Sequence, residues 1–457
     1  MRYDVIIVGA GPSGIFAALE LTKKKGLRVL LLEKGRGLEE RIGLIQKSEI
    51  RNQKLELSPT LSGWGGAGAF SDGKLTLSSE VGGFLNRYLN ESELTELIRY
   101  ADNCYIKHGA PQNTYGTDIV EIEKLKVKAS QNNLKLISTR IRHIGTDRCP
   151  EVLQNFQNSL DGKTEIHFSS KVESIILNGS KVGGVRTDDG KEYLSDFVIL
   201  SPGRGGADWL DREYRKLGLI PLMNPVDIGV RVELPASTLS FVTDIIYEPK
   251  LIYYSRQFDD QIRTFCVNPY GEVVQESLEG IFTVNGHSYT KKKSENTNFA
   301  LLVSTSFTKP FNEPISYGKY IARLANFLGE GVIVQRLGDL LKGRRSTPER
   351  IKRGITVPTL KTATPGDLSF VLPYRFLADI LEMLESMDRF APGVCSEHTL
   401  LYGIEVKFYS LQLRLTKNLE TEIQNLFAVG DGAGVSRGLI QASASGVMAA
   451  REIMKRF

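Results

Sequence analysis

Gly9, Gly11 and Gly14 stand at the spacing G-x-G-x-x-G, directly after the apolar run Val5-Ile6-Ile7-Val8. Glycine at 9 permits a sharp turn. Glycine at 11 lets a phosphate approach the backbone, and glycine at 14 lets a following helix pack closely on the strand. Pro12 and Ser13 lie inside the same turn. A helix starting there offers free N–H groups and the positive end of its dipole to a pyrophosphate. A second apolar run, Val29-Leu30-Leu31-Leu32, ends at Glu33, 19 positions after Gly14, with Lys34 beside it. A carboxylate at that distance accepts from a ribose 2′-hydroxyl and repels a 2′-phosphate. The pattern implies FAD or NAD rather than NADP.

The far end of the chain repeats the device. Leu426-Phe427-Ala428-Val429 runs into Gly430-Asp431-Gly432-Ala433-Gly434, and a helix is predicted over Gln441–Lys455 after Gly438 and Leu439. An acid set between glycines can accept from a sugar-alcohol hydroxyl, and the following helix N-terminus can hold negative charge near a reduced ring. A ribityl chain distinguishes FAD from NAD, so the two turns together select FAD. Arg437 would add positive charge near the ring. No histidine or cysteine sits beside these motifs, so the flavin is expected to be held non-covalently.

Ser62–Lys74 holds a third glycine-rich run. Gly66, Ala67 and Gly68 are read as backbone lying close to a flat ligand, with Trp64 and Phe70 arguing against a free loop. Asp72 and Lys74 are the polar groups offered there. Asp196–Leu200 leads into Gly203. No second acid-terminated strand follows it, so this is a strand of the first sheet whose turn passes the cofactor, and it leaves no separate nicotinamide-nucleotide domain. Asp72, His143, Glu405 and Tyr409 are candidates for proton transfer.

These residues need elements to place them. A helix is predicted over Glu93–Lys107 with Ser92 as cap, and strands around Thr117–Val127 and Leu134–Ile141. A helix through Val152–Leu160 would be capped by Thr146 or Asp147. Thr164–Phe168, Lys171–Leu177 and Lys181–Thr187 read as strands, with a turn at Asp189-Gly190. From Pro225 to about Tyr374 strand patterns dominate. Arg231, Cys266, Asn268, Asn285 and His287 lie near those strands and read as structural more than catalytic. Arg375–Met387 reads as an amphipathic helix.

The chain has 457 residues, enough for two domains. A net charge of +5 is too small and dispersed to argue for nucleic acid. The local exception is Gly338–Arg353, with Lys342, Arg344, Arg345, Arg350, Lys352 and Arg353. It reads as a solvated face or, alternatively, an anion site. No apolar run is long enough to span a bilayer, and the expected location is cytoplasmic. The four cysteines are far apart and the five histidines show no metal-ligand spacing.

The glycine motifs resemble the FAD-binding pattern of the flavoprotein superfamily that includes glutathione reductase and p-hydroxybenzoate hydroxylase. More narrowly, the chain resembles the family of FAD-dependent dehydrogenases (NAD(P)/FAD-dependent oxidoreductases) of bacteria and archaea. The stretches that carry this are Gly65–Gly68 with Phe70–Leu75, His143–Asp147, Asp227–Glu233, Thr264–Cys266 and Val429–Gly434. Where relatives are expected to carry Phe-Cys-Met-Cys-Pro-Gly-Gly, this chain has Phe265-Cys266-Val267-Asn268-Pro269-Tyr270-Gly271, so the second thiol is absent. The resemblance implies FAD binding, and by analogy a contact between the Val172 backbone and adenine.

The resulting expectation is an α/β protein. Its Rossmann-like FAD domain is discontinuous (1–85, 142–224 and 390–457), with an inserted β-rich substrate domain (86–141 and 225–389). The expected activity is FAD-dependent oxidoreduction of a small organic substrate by hydride transfer at flavin N5, in a cleft between the domains. NADH or NADPH is a candidate electron donor. The alternatives are an NAD(P)H-dependent flavin monooxygenase, a flavoenzyme acting on a macromolecule such as RNA, and a non-catalytic FAD binder. Oligomeric state is left open.

Overall fold

Apolar runs without alternation, such as Val5–Val8 and Val29–Leu32, suit strands buried on both faces. The computed structural model describes residues 2–51, 62–69, 71–220, 226–278, 280–289, 293–305, 307, 310–311, 313–407 and 412–457. Two compact units emerge. One comprises Met1–Asn113, Arg142–Asn224 and Tyr409–Phe457, the other Thr114–Ile141 and Pro225–Phe408.

The first unit is built on a seven-stranded sheet. Strand Arg2–Val8 lies at its centre, parallel to Val29–Leu32 on one side and to Glu192–Leu200 on the other. Glu165–His167 extends one edge in parallel, and Leu426–Ala428 pairs in parallel with Glu192–Leu200. Lys181–Thr187 and Val172–Asn178 add an antiparallel extension. Asp196–Leu200 is thus a strand of the first sheet, as its sequence suggested.

Helices Pro12–Leu21 and Leu439–Lys455 pack together on this sheet. Their contact is close because Gly446 has no side chain: a Cβ there would lie 2.0 Å from the Ser13 carbonyl oxygen. Buried Glu20 ties the pair, accepting from Lys23 at 2.7 Å, from Arg451 at 2.8 Å and from Tyr100. Three strong donors hold its carboxyl below the usual range despite burial.

The second unit carries an eight-stranded sheet in the order Thr364–Pro365, Ile333–Arg336, Leu400–Lys407, Val226–Pro235, Asn296–Thr305, Gln261–Asn268, Lys250–Tyr254, Lys135–Ile137. Alternation along Val226–Pro235 puts Ile228, Val230 and Val232 into an apolar core with Ile380, Met383 and Met387 of helix Tyr374–Phe390. Asp227, Arg231 and Glu233, at alternate positions, are charged and equally buried. Arg231 reaches Glu405 with two bonds, of 2.7 and 3.0 Å, and also donates to Asn298, Asn285 and the Cys266 carbonyl. Asn268 donates to the same carbonyl at 2.9 Å. Three of the other four polar residues singled out from the sequence, Cys266, Asn268 and Asn285, therefore gather around this structural arginine. Glu405 also holds Lys407 at 2.9 Å.

Several local expectations are corrected. Thr117–Val127 is not a strand: helix Ile119–Ser130 forms, because Asp118 caps it by accepting from the Glu121 amide at 3.1 Å. The next element in the sheet is only Lys135–Ile137. The helix expected from Glu93 begins at Glu91, with Asn90 rather than Ser92 in a capping box with Glu93. Helix Cys149–Leu160 has Pro150 in its first turn and Arg148 at the cap position, so neither Thr146 nor Asp147 caps it. The polar stretch after Glu33 contains helix Leu38–Arg51.

The unit boundaries differ from those expected at two places. Residues 91–107 pack Leu94, Leu97, Ile98 and Tyr105 into the first core. Leu400–Lys407 is an inner strand of the second sheet. Tyr409 and Phe70 lie outside the described residues.

Candidate functional site

The first turn is held from behind. Gly9 has φ +105°, and a Cβ there would lie 2.3 Å from the Ser201 carbonyl oxygen. Ser201 Oγ donates to the Val8 and Gly9 carbonyls at 2.9 and 2.8 Å. A Cβ on Gly14 would come within 2.0 Å of the Gly9 oxygen. Helix Pro12–Leu21 starts at Gly11 with no side chain bonded to its first amides. A Cβ on Gly11 would point into open space.

The other glycine turns close on this one. The Gly65 amide donates to the Ala10 carbonyl at 2.8 Å. A Cβ on Gly66 would lie 3.2 Å from the Gly11 Cα, and one on Gly68 would lie 2.8 Å from Leu439 Cδ2 and 3.6 Å from Pro12. Ala67 lies in the short 3-10 turn between them. A Cβ on Gly430 would lie 2.5 Å from Ser13 Oγ, and one on Gly432 would lie 2.7 Å from the Gly203 carbonyl oxygen. Ser445 fixes the third turn by accepting from the Gly430 amide at 3.0 Å. Gly434, with φ +71°, ends the short turn that follows Asp431, and Gly438 precedes helix Leu439–Lys455. Four separate segments thus present backbone to one place in the first unit.

Glu33 serves this frame directly. Its carboxylate accepts from the amides of Ala10 at 2.7 Å, Gly35 at 2.8 Å and Gly63 at 3.0 Å. A carboxylate has about four acceptor positions, and these amides take three of them. The Ser170 amide donates to the Glu33 carbonyl at 2.9 Å, two residues before Val172 opens its strand. Lys34 is exposed and donates to the Gly205 carbonyl at 2.8 Å.

Arg41 went unnoticed in the sequence. It is fully buried and donates to the Trp64 carbonyl and, at 3.0 Å, to that of Gly66. Burial lowers its pKa to about 10, opposed by nearby Glu33. A buried cation facing carbonyl oxygens beside the first turn suits an incoming pyrophosphate. Its signal, an arginine eight positions after the acid, has no periodicity to reveal it.

At the third turn, Asp431 accepts from Ser436 Oγ at 2.6 Å. The Arg437 amide donates to the Gly82 carbonyl at 2.9 Å, and its guanidinium lies 4.5 Å from the Phe84 ring centroid.

Asp72, Lys74 and His143 are brought together by backbone pairing. Lys74–Thr76 pairs with Ile141–His143, and the amides of Ile144 and Gly145 donate to the carbonyls of Gly73 and Asp72 at 3.1 and 2.9 Å. All three side chains are buried, and Lys74 Nζ lies 2.8 Å from Asp72 Oδ2. Cys149 Sγ contacts the Ser71 carbonyl at 3.6 Å. Burial first, then Asp72 and Asp147, push that thiol far up, so it is no nucleophile at neutral pH. Among the described residues no metal-binding group of His, Cys, Asp and Glu occurs.

Comparison with known proteins agrees with this frame. Residues 225–408 match the family described as FAD-dependent protein, C-terminal domain-like, and residues 7–42 match an NAD(P)-binding Rossmann-like domain. A protein of Clostridium beijerinckii, described only as uncharacterized, is 30% identical over 476 aligned residues, 99% of this chain and 81% of its own length. The chain belongs to one family with this protein, and its residues 225–408 match the C-terminal domain of FAD-dependent proteins.

Solved structures similar to this flavoprotein include glycine oxidase from Geobacillus kaustophilus, at 13% identity, TM-score 0.41, and 99% and 95% coverage of the two chains. L-proline dehydrogenase from P. horikoshii aligns at 12% identity, TM-score 0.41, and 100% and 94% coverage. Likenesses this distant fix neither substrate nor reaction. Among the described residues of the flavoprotein, no helix is long and apolar enough to cross a membrane.

Proposed function

We propose that the chain is a dehydrogenase or reductase that moves a hydride between a bound FAD and a small organic molecule. The observation that carries the reading is the convergence of four glycine-bearing segments on an uncapped helix start, beside buried Arg41. FAD, once bound, supplies hydride chemistry at its flavin ring. The chain's own task is to hold and tune it. The amides around Gly9, Gly11, Ser13 and Gly14, with Arg41, would take the pyrophosphate. Glu33 would use its remaining acceptor position on the ribose, and Asp431 would take ribityl hydroxyls. Asp72, Lys74 and His143 are buried titratable side chains joined by the strand pairing that follows the glycine run, so they are the groups assigned to substrate orientation and proton transfer. Arg437 is assigned to stabilising negative charge on the reduced ring.

Three of the six basic side chains of 338–353 are paired with carboxylates. Buried Asp339 takes Arg344 at 2.9 Å and Arg350 at 3.8 Å, and Lys342 pairs with Glu397 at 2.7 Å. This favours a small substrate over a nucleic acid.

The deciding experiment is the absorbance spectrum of purified protein, followed by anaerobic addition of NADH and then NADPH. A yellow protein bleached by either donor supports a reductase, and oxygen-coupled hydroxylation afterwards would move the assignment to a monooxygenase. A yellow protein untouched by both donors supports a dehydrogenase reduced by its own substrate. A colourless protein that takes up no FAD would sink the proposal.

A further inference from the structure

Helix Ile119–Ser130 of the second unit buries only one side. Ile122, Leu125 and Ala129 enter the core. On the outside Ile119, Val120 and Val127 are 74%, 66% and 56% exposed. With Glu123 and Lys124 they line one shallow groove along the helix. A cluster of large aliphatic side chains left in water on one helix face marks an interaction surface.

The charges on this helix say what covers it. Asp118, Glu121 and Glu123 occupy its N-terminal half, and Lys124, Lys126 and Lys128 its C-terminal half. Within one chain they pair along the helix, Lys124 with Glu121 at 2.6 Å and Lys126 with Glu123 at 2.7 Å. Such exposed pairs contribute little and exchange partners readily. A helix acidic in one half and basic in the other is complementary to itself when antiparallel. The helical period puts Val120, Glu123, Lys124 and Val127 on one face. A two-fold axis crossing between Glu123 and Lys124 then sets Val120 of one copy against Val127 of the other. The same axis sets Glu123 against Lys124 in both directions, and it opposes the helix dipoles. Only a second copy supplies this match by symmetry.

We propose that the outer face of helix Ile119–Ser130 is an isologous interface between two copies of this chain. The test is sedimentation velocity on the full flavin-loaded chain over rising concentration. Wild type should exchange between monomer and dimer, because an interface of one helix face is small. Val120→Glu and Val127→Glu should each abolish the dimer while flavin absorbance and circular dichroism stay unchanged. Glu123→Lys alone and Lys124→Glu alone should each weaken dimerisation about tenfold by like-charge repulsion. The double variant Glu123→Lys/Lys124→Glu should restore it. A chain monomeric at its highest soluble concentration, a dimer that survives Val120→Glu, or a double variant no better than the single ones would each overturn the proposal.

Discussion

Arg41 shows how a single buried charge ties fold to cofactor. Its guanidinium is held by main-chain carbonyls next to the first glycine turn. Arg41→Met keeps much of the volume but leaves those carbonyls unpaired, at a cost of about 1–3 kcal/mol. The expected outcome is a lower denaturation midpoint together with purified protein that retains clearly less FAD, read from the flavin-to-protein absorbance ratio. Normal flavin content would separate Arg41 from the cofactor. Asp379 offers a second test. Burial, together with neighbouring Asp260, raises its pKa to about 6, while Arg375 binds Asp260 and holds that carboxyl low. A carboxyl whose folded pKa is raised keeps its proton when the unfolded chain has lost it. Stability from Asp379 is therefore present at acid pH and is lost as pH rises through about 6. Asp379→Asn should flatten the fall in melting temperature across that interval. An unchanged slope would contradict this.

Among the elements, the pairing of helices Pro12–Leu21 and Leu439–Lys455 bears most on the site, because each follows a cofactor turn. Gly446 lets them touch. Gly446→Val should push them apart, cost about 1–3 kcal/mol by overpacking, and release FAD without any change in a residue of the cradle. Thermal denaturation and flavin content should fall together. Gly14→Ala tests the neighbouring contact, since its Cβ would strike the Gly9 carbonyl. A variant that kept full flavin content would show that the turn can relax.

At the scale of the whole molecule, the two units have separate apolar cores. Calorimetry of apoprotein should therefore show two transitions. Added FAD should raise the one that belongs to the first unit, by about 2.7 kcal/mol when FAD is at 100 times its Kd. A single transition, or an equal shift of both, would mean that the units unfold as one.

The first sheet and its turns were legible because their signals are local. Apolar runs ending in glycines specify a strand and a turn within a dozen residues, and Gly9–Gly14, Glu33 and Gly430–Gly434 lie in such stretches. The strand-rich texture from Pro225 onward was legible because the patterning of apolar residues along a strand is local too. Helix Ile119–Ser130 was not, because its β-branched residues imitate a strand and Asp118 tips the balance through one cap. Residues 86–113 were misassigned because core membership depends on which apolar face meets which sheet, not on position in the chain. Only the tertiary structure buried Arg41 beside the first turn and spent most of Glu33 on backbone amides. The same holds for Arg231, whose partners Glu405, Asn298 and Asn285 come from distant strands. Sequence alone determined which stretches turn and which are buried. Which carboxylate pairs with which cation was decided by folding, because those distances are set by packing between residues remote in sequence.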